Sequence, residues 1–189
     1  MDQDRFFQYL QFEKRYSKHT LTAYQSDLKQ FFDFIEKTYT LTSASEVQHY
    51  HIRSWMVDLM ASGITSRSVN RKLSCLKTYF RFLRRHKEID SNPMAKVIAP
   101  KSGKRLPVFV SENSMSLLFE QVDFGEGISG ARNQLIMEIL YCTGIRCFEL
   151  IGLKTADVDL AARQLRIFGK RRKERLAPIA RHLSELIDK

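Results

Sequence analysis

A chain of 189 residues, 43% of them hydrophobic, can bury one substantial core or two small ones. No run of about 18 apolar residues occurs, which argues against a membrane span, and the polar start Met1-Asp-Gln-Asp-Arg5 leads into no apolar secretory segment. The formal net charge of +10 points towards polyanions. Its distribution says more than its total. Residues 67–87 hold eight basic side chains (Arg67, Arg71, Lys72, Lys77, Arg81, Arg84, Arg85, Lys87) and no acid. Residues 163–181 hold eight more (Arg163, Arg166, Lys170, Arg171, Arg172, Lys173, Arg175, Arg181) against one glutamate. Two blocks in different halves suggest two contact surfaces, with a nucleic acid as partner. Cys75, Cys142 and Cys147 form no disulfide-like or metal-like set, and each reads as a small buried hydrophobe. A reducing, cytoplasmic compartment fits.

In chain order, Phe6, Phe7, Leu10 and Phe12 predict a short helix over residues 4–16, broken at Ser17-Lys-His-Thr20. Thr20 is a candidate cap for the next helix, which carries Leu21, Tyr24, Leu28, Phe31, Phe32 and Ile35 at helical spacing. A third helix over 45–61 gathers Val47, Ile52, Trp55, Met56, Leu59 and Met60 and ends at Gly63. A fourth starts near Ser66 or Ser68 and runs to about His86. No strand pattern precedes residue 100, so residues 1–92 read as a four-helix domain. Residues 93–107, rich in proline and including Lys96, Lys101, Lys104 and Arg105, read as a basic interdomain linker able to lie along a phosphate backbone.

Beyond it, Ser111 or Ser114 could cap a helix through Leu117, Leu118 and Phe119. Asp123–Gly130 is a glycine-rich loop whose Asp-Phe-Gly lacks every companion motif of a kinase. An apolar helix from about Arg132 to Tyr141 follows, with Tyr141 read as core, then a break at Thr143-Gly144 and a helix ending near Leu153. Gln164-Leu-Arg-Ile-Phe168 and Arg175-Leu-Ala-Pro-Ile179 predict a hairpin turning at Gly169–Lys173, and Pro178 confines the second arm to an edge or strand end.

In residues 66–86 the set Val69, Leu73, Leu76, Phe80 and Leu83 follows helical spacing and must face a core. Stepping about 100° around the helix gives Asn70, Ser74, Lys77, Arg81 and Arg84; a further step gives Arg67, Arg71, Thr78 and Arg85. This basic and hydrogen-bonding arc suits contact with DNA, through phosphates or a major groove. An ordinary solvated face would mix in acids.

Tyr141-Cys-Thr-Gly-Ile-Arg146-Cys-Phe-Glu149-Leu-Ile-Gly-Leu153, followed by Gly169-Lys170-Arg-Arg-Lys173-Glu-Arg175, resembles the start of the catalytic domain of tyrosine recombinases of the phage-integrase or Xer type. His19-Thr-Leu-Thr-Ala-Tyr24-Gln-Ser-Asp-Leu28 and Ser68-Val-Asn-Arg71-Lys-Leu-Ser74 with Tyr79-Phe80 are similar to signatures of that family's core-binding domain. The resemblance implies a mainly α fold. A SAM-like four-helix domain would be followed by part of a mixed α/β catalytic domain, residues 108–189, with a small antiparallel sheet. It implies that Arg146 contacts the scissile phosphate, that Lys170 is general acid towards the 5′-oxygen, and that Glu149 orients the active-site groups. Arginine suits its task because its planar fork binds phosphate bidentately and keeps its charge. Lysine suits the other when a neighbouring cation lowers its pKa. Arg67, Asn70, Arg71, Ser74, Lys77, Arg81, Lys104, Arg171, Arg172 and Lys173 are the candidate DNA contacts. The family turn often has a second glycine after the lysine, where Arg171 stands here.

The family's His-x-x-Arg motif and nucleophilic tyrosine have no match after Lys170: His182 precedes Leu-Ser-Glu, and the last tyrosine is Tyr141. The expectation is therefore an incomplete catalytic domain that binds duplex DNA without cleaving it. The resemblance implies no metal and no cofactor, because the tyrosine linkage conserves bond energy. Expected partners are recombination sites with inverted half-sites and, on DNA, other recombinase protomers, with a monomer in their absence. A stand-alone DNA-binding regulator or recombination accessory protein is the alternative, but it leaves the spacing of Arg146, Glu149 and Lys170 without a reason.

Overall fold

A computed structural model describes residues 3–103, 106, 108–169 and 173–188. It falls into two units, residues 1–106 and 107–189. The first is helical: α1 (Asp4–Gln8) running into a π-helical turn (Tyr9–Glu13), α2 (Lys18–Tyr39), α3 (His49–Ala61) and α4 (Ser66–Arg85). The wide turn keeps Phe6 and Leu10 fully buried but swings Phe12 into solvent, 70% exposed, against its expected place in the apolar set. The cap of α2 is Ser17 rather than Thr20, its hydroxyl accepting the Thr20 N–H. The third helix starts later than its pattern suggests. A 3₁₀ turn, Ala44–Glu46, is closed by reciprocal Ser43–Glu46 bonds, and the chain stays extended at Val47 before α3 begins. Thr65 caps α4 by accepting the Ser68 N–H.

The core of this unit is aromatic. Phe31 stands edge-on to Trp55 with centroids 5.1 Å apart, Phe6 edge-on to Tyr79 at 5.1 Å, and Phe80 and Leu76 are fully buried between α2 and α3. All five apolar positions expected to face inward on α4 do so. The proline-rich stretch is partly structural: Pro93 is buried, and Met94 and Val97 pack on the same core. Arg53 donates to the Lys96 carbonyl at 2.7 Å and Asn70 to the Pro100 carbonyl at 3.0 Å, so the chain is held to this unit as far as Pro100.

The second unit has α5 (Glu112–Gln121), α6 (Gly127–Thr143), α7 (Cys147–Ile151) and α8 (Arg181–Asp188) with a three-stranded antiparallel sheet, β1 (Val158–Asp159), β2 (Gln164–Phe168) and β3 (Glu174–Pro178), in the order β1-β2-β3. Ser111 caps α5, and α6 begins at Gly127, inside the expected glycine-rich loop. Period-two alternation puts Leu165 and Ile167 of β2 inside, beside Ile139, Ile145, Ala177, Ile179 and Leu183. Pro178 pairs with Gln164 at the end of the edge strand β3, where its missing N–H costs no ladder bond to a further strand. Tyr141, expected in the core, is 49% exposed with its ring 5.7 Å from Phe119. Cys142 and Cys147 are exposed too; only Cys75 is buried as expected, and burial pushes its thiol well up. Among the described residues no helix is long and apolar enough to cross a membrane.

Candidate functional site

Helix α6 ends because Gly144 takes a left-handed conformation (φ +58°) and returns its N–H to the Leu140 carbonyl. Buried Ile145 anchors the chain, and Arg146 follows in an extended conformation at the N-cap of α7. The turn thus delivers the Arg146 side chain to the surface, 76% exposed. Glu149, one turn later, reaches back: its Oε2 accepts the Arg146 backbone N–H at 3.1 Å and its Oε1 accepts from Arg146 Nη1 at 3.0 Å.

The same carboxylate is held from the sheet. Arg175 Nη1 and Nη2 donate to Glu149 Oε1 and Oε2 at 3.1 and 2.7 Å, a bidentate fork on a side chain only 6% exposed. Gly169 closes the third side. Its N–H donates to the Lys173 carbonyl at 2.7 Å, and a Cβ built on it would stand 3.2 Å from Glu149 Oε1. The start of the hairpin turn therefore lies against the carboxylate that braces Arg146. Lys170, Arg171 and Arg172 lie outside the described residues, as does Lys104. Lys173 is exposed where β3 begins.

Arg175 is, by sequence, one more cation of a basic block, yet it is the residue that grips Glu149 from the sheet. It lies 26 residues from Glu149 and faces it only through the pairing of β3 with β2. Two other members of that block are also paired, Arg166 with Asp157 at 3.5 Å and Arg181 with Glu185 at 2.8 Å. The second basic surface is accordingly smaller than its charge count suggests.

The Arg175 fork, followed by the Arg146 N–H, holds the Glu149 carboxyl down to about 2 from an ordinary value of 4.5. Because the folded value is depressed, the unfolded chain takes up the proton first, so this contribution is complete above about 4.5 and is lost as pH falls towards 2. The difference in melting temperature between the native chain and Glu149→Gln is thus expected to be largest near neutral pH and to vanish near pH 2. A difference independent of pH would refute the ionic account.

On α4, Arg67, Arg71, Ser74, Lys77 and Arg81 are exposed along one arc, as expected. Two positions carry more than their place on the helix indicates. Arg71 makes a bidentate pair with Asp27 of α2 at 2.5 and 2.9 Å while its side chain stays 50% exposed. Asn70 is half-buried, with its amide nitrogen held by Pro100. Lys72, counted with the basic block, is buried; its ammonium lies 2.9 Å from Asp27 and 2.6 Å from Gln30.

Residues 4–87 match the family "Phage integrase, N-terminal SAM-like domain", and residues 109–189 match "Phage integrase family". The chain belongs to the phage integrase family of tyrosine recombinases. The tyrosine recombinase XerC of Bacillus licheniformis is 36% identical over 183 residues, which is 97% of this chain and 60% of that protein. XerC of Staphylococcus carnosus is 35% identical over 187 residues, 99% of this chain and 62% of its own. The chain spans about 60% of the length of those relatives. Among solved structures, a lambda integrase (residues 75–356) dimer bound to a COC' core site aligns with a TM-score of 0.73 at 20% identity, covering 98% of this chain and 64% of that one. The Tn1549 transposon integrase with circular intermediate DNA aligns at 0.71 and 15% identity, covering 97% and 62%. At such identities the agreement is one of fold.

Proposed function

We propose that this chain serves site-specific DNA recombination as the DNA-binding part of a tyrosine recombinase, binding duplex DNA that carries inverted half-sites without cleaving it alone, with other recombinase protomers as partners on that DNA. Residues 1–92 act as the core-binding domain, 93–107 as a basic connection whose first part, to Pro100, stays packed on that domain, and 108–189 as the opening part of the catalytic domain. The cytoplasm is the corresponding compartment. The observation that carries this reading is the clamp of Glu149 on Arg146 and Arg175 beside Gly169, because it fixes an exposed guanidinium on a carboxylate that also lies against Gly169, the residue before Lys170 in the sequence. Arg146 binds the non-bridging oxygens of the scissile phosphate, and Lys170 protonates the departing 5′-oxygen. In the complete enzyme a tyrosine that these 189 residues do not supply would attack the phosphorus, forming a 3′-phosphotyrosyl bond as the bond to the 5′-oxygen breaks and that oxygen takes the Lys170 proton; attack by a 5′-hydroxyl on the same phosphorus reverses the step and rejoins strands.

Binding and chemistry separate cleanly in this reading. The 189-residue chain is expected to prefer duplex DNA with inverted half-sites over single strands or RNA, and to leave a nicked suicide substrate without a covalent protein adduct. Equal affinity for RNA, or a covalent adduct, overturns the reading. Lys77→Ala with Arg81→Ala is expected to weaken binding and to flatten the plot of log affinity against log salt by about 2. Anisotropy titrations between low and moderate salt measure that slope; an unchanged slope removes the α4 arc from the interface. Arg71→Ala is a poorer probe, because it also strips a partner from Asp27.

A further inference from the structure

The C-terminal turns of α6 and the start of α8 carry a second cluster, separate from the Glu149 clamp and unused by the proposed chemistry. Glu138 and Cys142 stand one turn apart on α6, and His182 lies in the first turn of α8. Glu138 Oε2 lies 3.2 Å from His182 Nε2, and Cys142 Sγ lies 3.9 Å from each of those two atoms. We infer that Glu138, Cys142 and His182 form a binding site for one divalent cation of borderline-soft character, with Zn²⁺ as the ion of best fit.

Three arguments support this. The first is geometric: ligand atoms placed roughly 2.0–2.3 Å from zinc at tetrahedral angles lie about 3.3–3.6 Å from one another. The observed separations of 3.2, 3.9 and 3.9 Å differ from that by a few tenths of an ångström, which side-chain rotation alone can close.

The second is the rigidity of the frame. Ile139, next to Glu138, and Leu183, next to His182, are buried at 4% and 0% exposure in the same core. Apolar packing of α8 on α6 therefore sets the donor positions before any ion arrives, which lowers the ordering cost of binding. The His182 side chain is 59% exposed, leaving an entry path and a fourth position for water.

The third is the donor set itself. One thiol, one imidazole and one carboxylate suit Zn²⁺ or Co²⁺, whereas Mg²⁺ and Ca²⁺ require a shell of oxygens. The site was invisible in the sequence because His182 lies 40 residues beyond Cys142. A bound ion would staple α8 to the turn of α6 that leads through Gly144 to Arg146.

The test uses the untagged, reduced, metal-free 189-residue chain. Zn²⁺ titration by calorimetry is expected to give one equivalent bound and a higher melting temperature. Co²⁺ is expected to give a thiolate-to-metal charge-transfer band together with tetrahedral ligand-field bands, and excess Mg²⁺ is expected not to displace it. Cys142→Ser should abolish the charge-transfer band, and Cys142→Ser, His182→Gln and Glu138→Gln should each weaken Zn²⁺ by about tenfold or more. Cys147→Ser, which alters the other exposed thiol of this unit, should leave band and affinity intact. Circular dichroism checks that each variant folds. The proposal is overturned by the lack of saturable one-equivalent binding, by a band that survives Cys142→Ser, or by a band that disappears with Cys147→Ser.

Discussion

Asp27→Ala is expected to cost the N-terminal helical unit about 3–5 kcal/mol, enough to lower its melting temperature by about 12 °C or more. Asp27 is 1% exposed and Lys72 9%, so the pair is a buried one. Its carboxylate serves two cations, Lys72 at 2.9 Å and Arg71 through a bidentate contact. Removing it leaves the Lys72 ammonium inside the fold with the Gln30 carbonyl as acceptor at 2.6 Å and the Trp55 ring 6.0 Å away. Desolvation of that charge is then uncompensated, which is the costly way to break a buried pair. Replacing both partners together, Asp27→Leu with Lys72→Met, is expected to recover most of the loss. Thermal unfolding of the two variants side by side decides the matter. A loss under about 1 kcal/mol for Asp27→Ala, or no recovery in the double variant, would rule out a buried ion pair as the source. Under folding conditions the single variant should also bind DNA more weakly, since Arg71 loses the carboxylate that holds its guanidinium in place.

What could be read in the sequence is what local geometry dictates. The inward positions of α4 follow from helical spacing, and all are buried. The Thr143-Gly144 break, the hairpin and the edge placement of Pro178 follow from turn and proline chemistry. The exceptions were decided by partners far along the chain. Lys72 belongs to the same charge run as Arg71 and Lys77, yet it is internal because Asp27, 45 residues earlier, neutralises it there. Arg175 looked like one more cation in a basic hairpin until strand pairing brought it to Glu149. Phe12, Tyr141, Cys142 and Cys147 are apolar by type but lie on faces that the described residues of their units leave open. Composition ranks residues by what they prefer; only tertiary placement says which preferences are met.

That distinction governs the second large effect. In a polypeptide extended to the length of its XerC relatives, Arg146→Ala is expected to reduce strand cleavage by about 10²–10³-fold, as for other preorganised charge donors, with half-site binding little changed. Arg146→Lys retains the charge without the planar fork and should fall between. On the proposed reading Arg175 would act one step back, as a positioning residue. Arg175→Ala removes the two bonds that hold Glu149, so the carboxyl returns from about 2 towards 4.5 and Arg146 loses a fixed counterpart. Cleavage by that variant should therefore fail at a higher pH on the acid side than cleavage by the same extended polypeptide with Arg175 in place. Arg175→Lys should restore part of the shift. A purely structural Arg175 would lower the rate at every pH and leave the acid limb where it was. An Arg146→Ala variant that loses binding as fully as cleavage would show instead that the Arg146 guanidinium grips the duplex rather than the reacting phosphate.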